Sequence, residues 1–423
     1  MHAEPRTRLP SAARGPLGLA ACATMALAGC TADMNGLEKS SQVLPSPEAR
    51  GSTLELQGGQ GQQTREDNPF GGARFHVDAT YTQRVTSTAS GYPALAPQIK
   101  KASVQPTAVW IDAIARVGRV SETLAAAAAE ETSHGGPRVV SVFVLYDLPN
   151  RDCAARSSSG ELSVDDGGEA RYRAEFIDPI AAAIAARPSQ RVVALVEPDS
   201  LANLATNAQI PRCAAAGGAY RRGTAYAISK LSSLPNVTVY LDAAHAGWLG
   251  WAPNRTKIVD IYKDVLDQAG GADKIRGFFT NVSNYNVLHG DDGRRLEPST
   301  PCPDELTYVA QLRESLAAVG IVGEGFVVDT SRNGRAGIRS SWGHWCNVAG
   351  AGLGERPRAA PEPGIDAYFW VKPPGESDGT SDSSSTRFDP ECGSKDAAQG
   401  APAAGQWFPA YFADLVRNAN PPF

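Results

Sequence analysis

A chain of 423 residues is long enough for one closed α/β barrel with a tail, a fold that routinely occupies this length as a single domain. Hydrophobic residues make up 42%, ample for a large core, and the net charge of -5 leaves no basic stripe that would hold nucleic acid. That balance points to a neutral substrate.

At the start of the chain Arg6, Arg8 and Arg14 precede an apolar run over 17–28, the pattern of an export leader and too short for a permanent membrane span. The run ends in Leu27-Ala28-Gly29-Cys30, which resembles a lipobox and predicts cleavage with lipidation of Cys30. The alternative is an ordinary leader with a chance cysteine. Either way residues 1–30 are expected to be removed, and the mature protein to be secreted or anchored to the cell surface through Cys30. Residues 31–67, rich in Gly, Gln, Ser and Pro without an apolar period, read as a flexible tether.

Over 68–423 apolar, β-branched runs alternate with amphipathic or Ala-rich stretches. Strands are expected at 108–111, 139–145, 191–196, 237–241, 275–280, 325–328 and 367–371. Helices are expected at 121–131, 170–186, 224–231, 258–268, 305–319 and 406–418. This alternation calls for a parallel sheet under helical cover, and the number of units suits a barrel, with an open doubly wound sheet as the other solution. No GxGxxG or GxxxxGK[ST] follows a strand, which weighs against a nucleotide-binding version.

Without Cys22 and Cys30, five cysteines remain in an oxidising compartment: Cys153, Cys213, Cys302, Cys346 and Cys392. An odd number leaves at least one outside any internal disulfide. No CxxC, HxH or HExxH spacing occurs, so neither a metal site nor a cofactor is expected.

Several apolar runs finish in an acid: Asp147, then Glu197 and Asp199, then Asp242 and Asp329. In a barrel these ends face one site, so the acids are expected to converge on a single pocket. Converging carboxylates can bind a hard cation, hold a cationic substrate, or divide the acid and base work of glycoside hydrolysis. Any one of them can equally cap the following helix or start a turn. Tryptophans favour the third use: Trp248 and Trp251 follow Asp242, and Trp342 and Trp345 lie in a polar, Gly-containing stretch. Indole faces stack on pyranose rings, and an extended glucan needs a row of them.

Six motifs then occur in order: YDLPNRDCAARSSSGE (146–161), VEPDSLANLATN (196–207), YLDAAHAGWLGW (240–251), TNVSNYN (280–286), WGHWCNV (342–348) and WVKPPGESDGTSDSSSTRFDPEC (370–392). In these the chain resembles glycoside hydrolase family 6, the cellobiohydrolase II and endoglucanase group, from Asn68 to the C-terminus. The resemblance implies a distorted, seven-stranded (β/α) barrel with a cleft or tunnel at the C-terminal strand ends. It implies inverting hydrolysis of β-1,4-glucosidic bonds in cellulose or a related β-glucan by a monomer.

It also implies roles. Asp199 matches the general acid, and Asp152 a second carboxylate that raises the acid's proton affinity and relays the proton of the attacking water. Asp378 matches a residue proposed as general base, and inversion requires the acid and base to stand roughly 6.5–9.5 Å apart. Tyr146 would press on the distorted sugar and Ser158 hold the water. His245, Trp248, Asn284, Trp345, Lys372 and Glu376 match sugar-binding positions. Cys153 with Cys213 and Cys346 with Cys392 match two disulfides, and Cys302 is the one left over.

Two departures stand near the start of the unit. His76 occupies a position where fungal members carry a subsite Trp, with Asp78 where they have Asn. His76 is expected to be either a sugar-binding residue or a solvated loop residue, and Phe75 could replace it under a one-residue shift. The long segment 379–391 between Asp378 and Cys392 can roof the cleft, which favours release of cellobiose from non-reducing ends over endo action. The competing readings are an endo-acting β-1,4-glucanase, a non-catalytic carbohydrate-binding lipoprotein, and a metal-dependent barrel hydrolase.

Overall fold

The computed structural model describes residues 68–290, 301–341 and 343–423. The expected leader, Cys30, the tether and Trp342 lie outside them.

Nine strands form one sheet among the described residues: β1 (Arg74–Phe75), β2 (Val109–Ile111), β3 (Val139–Leu145), β4 (Arg191–Val196), β5 (Val237–Asp242), β6 (Gly277–Thr280), β7 (Gly325–Asp329), β8 (Arg358–Glu362) and β9 (Ile365–Phe369). All seven expected strands are present, and they pair in parallel in the order β2, β3, β4, β5, β6, β7, β9. The sheet curls back on itself. Ala108 N donates to Trp370 O at 3.1 Å, and Trp110 Nε1 donates to Val371 O at 2.8 Å, joining the start of β2 to the residues after β9. The closure is made at the C-terminal half alone. At the N-terminal half the same edge of β3 carries β1, and Phe70 and Phe75 pack on Phe369 with centroids 6.1 and 5.5 Å apart.

Strand periodicity divides the core in two. Val140, Val142 and Val144 of β3, Val193 and Leu195 of β4, Tyr240, Phe279, Val327 and Ala367 point inward and fill the barrel. Their neighbours Phe143, Leu145, Val192, Ala194, Val196, Val239, Leu241, Phe278 and Phe326 point outward against the helices. A third cluster joins the helix Ala79–Gly91 to the closing helix Pro409–Arg417 around Trp370.

The expected helices are present, with shifted ends. The stretch expected at 224–231 is a 22-residue helix, Pro211–Ser232, whose Gly217, Gly218 and Gly223 mask its period. A methyl group at Gly223 would lie 2.4 Å from Leu148 Cδ2, so glycine lets this helix press on the segment after β3. The stretch expected at 170–186 is helical but contains a π turn, Tyr172–Ile177, ahead of Pro179, which cannot donate to the regular ladder. The turn brings Tyr172 Oη to 2.8 Å from Glu197 Oε1.

Candidate active site

The turns leaving β3, β4, β5 and β6 pass through left-handed backbone at residues other than glycine: Asn150 (φ 58°), Asp152 (53°), Glu197 (55°), Asp199 (64°), Ala244 (47°), Asn281 (63°) and Ser283 (57°). Such conformations cost on the order of 1–3 kcal/mol each and persist where surrounding bonds over-determine them. Those bonds come from the strand-end acids. Glu197 accepts the N–H groups of Asp147 (3.1 Å) and Leu148 (3.3 Å), Asp242 accepts that of Asp199 (2.9 Å), and Asp329 accepts those of Ser283 (3.2 Å), Ser331 (2.8 Å) and Lys372 (3.0 Å).

This corrects the expectation that the strand-end acids converge on one pocket. Asp147, Glu197, Asp242 and Asp329 are buried behind the site, and of that set Asp199 alone lines it. Tight turns bury amide groups that need acceptors, and a carboxylate is the strongest acceptor a side chain offers.

Above these turns lies a cavity of about 870 Å³, within the range of small-molecule sites. Its wall brings together Asp78, Tyr146, Asp152, Ser158, Asp199, His245, Trp248, Asn284, Trp345, Lys372, Glu376 and Asp378, leaving out only His76 of the expected substrate and catalytic residues.

Asp199 stands at the N-cap position of the helix Ser200–Thr206, yet its carboxyl group caps nothing there. The cap reading therefore fails for this residue, and the group faces the cavity. Burial first, then the charges of Asp242 and Asp152, push its proton affinity well above the usual carboxylate range. Asp152 accepts a hydrogen bond from Ser158 Oγ, and burial raises its proton affinity too, against the pull of Ser158 and Arg151.

Asp378 has the opposite character. Its Oδ2 accepts from Arg332 Nη1 (2.7 Å), Asn347 N (2.8 Å) and Tyr285 Oη (3.2 Å), and its Oδ1 lies 3.4 Å from Lys372 Nζ. Despite burial, Arg332 and Lys372 hold it below its ordinary value. Asp199 is thus kept as an acid and Asp378 as an anion.

Tyr146 is held by Trp110 edge-on at 5.7 Å and by the Arg151 guanidinium 4.4 Å over its ring. Trp248 Nε1 donates to Thr206 Oγ1 at 2.7 Å. His245 lies between the amides of Asn284 (2.9 Å) and Asn286 (3.1 Å), and burial lowers its pKa to about 3, so it is neutral. Asp78 lines the rim, but it caps the helix Ala79–Gly91 through Tyr81 N (2.8 Å) and pairs with Arg119 (2.6 Å).

His76 belongs to neither expected reading. It is buried beside the N-terminal half of β3, with Nδ1 2.6 Å from Glu130 Oε1, away from the cavity wall. Phe75 does not replace it, since its ring packs on Phe70 and Phe369. The cavity also receives Trp110 from β2, a residue that the sequence analysis did not single out. Arg84 and Arg387, both missed, also reach the wall.

Two disulfides flank the site. Cys153–Cys213 ties the segment after β3 to the helix Pro211–Ser232, and Cys346–Cys392 ties the Trp345 loop to the long segment after Asp378. Cys302 is buried and in neither of them, with Sγ 3.4 Å from Gly250 O. Arg387 Nη2 donates to Ser157 O (2.8 Å) and Ser159 O (2.9 Å), and Asp389 accepts from Arg156 N (2.9 Å). The segments 151–161 and 379–391 therefore meet, and Ser158 and Arg387 from them line the cavity.

The family model described as glycosyl hydrolases family 6 matches residues 70–419. The chain belongs to this family. It is 42% identical over 367 residues to 1,4-β-D-glucan cellobiohydrolase C of Emericella nidulans, covering 85% of this chain and 80% of that protein. Exoglucanase 3 of Agaricus bisporus is likewise 42% identical, over 84% of this chain and 79% of its own length. Cellobiohydrolase II (Cel6A) of Humicola insolens, solved with glucose and cellotetraose, superposes with a TM-score of 0.81 at 38% identity, covering 84% of this chain and all of that one.

One acid of this family 6 chain has a measurable signature. Asp147 is fully buried, neither of its oxygens accepts a hydrogen bond, and Arg151 Nη1 stands 3.6 Å away. Burial pushes its pKa up to about 8. The folded state therefore holds a proton that the unfolded chain, with an aspartate near 3.9, gives up. That contribution is complete below about pH 4 and is lost as pH rises to about 8. Thermal unfolding of D147N should gain on the wild type by on the order of 2 °C or more between about pH 5 and 8, whereas a constant difference would contradict a protonated Asp147.

Proposed function

We propose that the chain is an inverting cellobiohydrolase, releasing cellobiose from the non-reducing ends of cellulose or related β-glucan chains. The observation that carries this reading is the uncapped, proton-retaining Asp199 in a cavity lined by Trp110, Tyr146, Trp248, Trp251 and Trp345. Indole faces offer a neutral pyranose chain stacking surfaces, and the polar wall supplies donors and acceptors for its hydroxyls. The loops that meet through Arg387 and Asp389 support threading of a chain end rather than attack along a chain.

In this mechanism Asp199 gives its proton to the glycosidic oxygen as the bond to the anomeric carbon breaks. A water attacks that carbon from the opposite face and inverts it. Its proton passes by way of Ser158 to Asp152, whose raised proton affinity makes it the better acceptor. Asp378, saturated by Arg332, Asn347 and Tyr285, stays ionised and stabilises the positive charge developing on the sugar. Burial and the charges of Asp242 and Asp152 favour the protonated Asp199, whereas Ser158 and Arg151 favour the ionised Asp152, which separates acid from acceptor.

D199A should lower hydrolysis of cellulose by about 10²- to 10⁴-fold while cellotetraose binding persists. Early product from the wild type, followed by NMR, should be the α-anomer. Retained hydrolysis in D199A, or β-anomer first, would refute the assignment.

We also propose that the protein works outside the cytoplasm, held by lipid on Cys30. The lipobox-like Leu27 to Cys30 and the two disulfides support this. Mass spectrometry of the mature N-terminus should find a lipidated Cys30, and an unmodified N-terminus at another residue would reject the anchor.

A further inference from the structure

Arg84 lies on the helix Ala79–Gly91, outside the barrel strands, yet it reaches the cavity wall and donates Nη1 to Glu376 Oε1 at 2.6 Å. Among the described residues no protein donor reaches Oε2 of Glu376. Along the wall charges alternate: Arg84, Glu376, Lys372, Asp378 and, behind them, the fully buried Arg332. Lys372 Nζ is 3.4 Å from Asp378 Oδ1 and 5.6 Å from the centre of the Trp110 ring. Lys372 thus stands within the field of two carboxylates, and Arg84 occupies one of them.

The groups facing Glu376 are Arg84 from the helix, Lys372 from its own segment, and Asp112 from the turn after β2, itself paired with Arg116 at 3.0 Å. Burial raises the proton affinity of Glu376, while Lys372 and Arg84 oppose it. Without Arg84 a buried carboxylate would face one cation and one further acid. It would then take up a proton or draw Lys372 away from Asp378.

Building on the glucan-hydrolase reading, we propose that Arg84 is a positioning residue for the bound glucan chain. Its hold on Oε1 keeps Glu376 an acceptor for a glucosyl hydroxyl and leaves Lys372 on Asp378. The chain end is gripped by the row of charges as well as by aromatic faces, and the outermost charge is supplied from outside the barrel.

Kinetics of R84Q and R84K on cellotetraose, from about pH 4.5 to 8 beside the wild type, test this. R84Q should show a KM about tenfold higher near pH 5, converging on the wild type as pH rises. Its kcat should stay within about twofold, and R84K should recover most of the loss. A KM equal to that of the wild type at every pH would overturn the proposal. So would a KM raised equally at every pH, a loss in kcat alone, or a collapse of Tm. Failure of the wild type to hydrolyse cellotetraose would instead overturn the functional reading, which keeps the two results distinct.

Discussion

The bond from Asp199 N–H to the buried Asp242 carboxylate, 2.9 Å long, is the interaction on which the rest of the site depends. It pins the left-handed turn after β4 and thereby aims the Asp199 side chain into the cavity instead of onto the helix that follows. Burial first, and then the neighbouring Asp242, raise the hold of Asp199 on its proton. One contact therefore performs a geometric and an electrostatic task. Burial makes both effective, because a low-dielectric surrounding strengthens the hydrogen bond and the repulsion alike.

The logic extends around the barrel. Each sharp turn at a strand end buries backbone N–H groups, and Glu197, Asp242 and Asp329 take them up. Two classes of acid result. Scaffold acids face the backbone and hold strained turns, while Asp199, Asp152 and Asp378 face the cavity with environments that push their proton affinities apart. Disulfides and the Arg387 contacts fix the segments above them.

Much of this was legible in the sequence, and the rest was hidden for physical reasons. The seven parallel strands stood out because strands buried on both faces are continuous apolar runs, as in β3. β1 has only two residues and β8 is a partly exposed antiparallel strand, so neither carries a period. The acids at the strand ends were visible, but not which way each points. That depends on the φ of a single turn residue, and Glu197 and Asp199, two positions apart, take opposite roles. The residues expected from the resemblance line the cavity except His76, whose burial against Glu130 comes from packing that no local pattern records. Trp110 was not singled out because β2 looks like any short strand, although the residue lines the cavity.

The central claim is that Asp199 keeps its proton because burial and Asp242 hold it, and a direct titration tests it. The carboxyl carbon of Asp199 in ¹³C-aspartate-labelled protein, assigned by its loss in D199N, can be followed by NMR from about pH 4 to 9. A signal that titrates well above an ordinary aspartate, and is shifted to lower pH in D242N, is what the account predicts. An Asp199 that titrates in the ordinary aspartate range, or one unmoved by D242N, would contradict it.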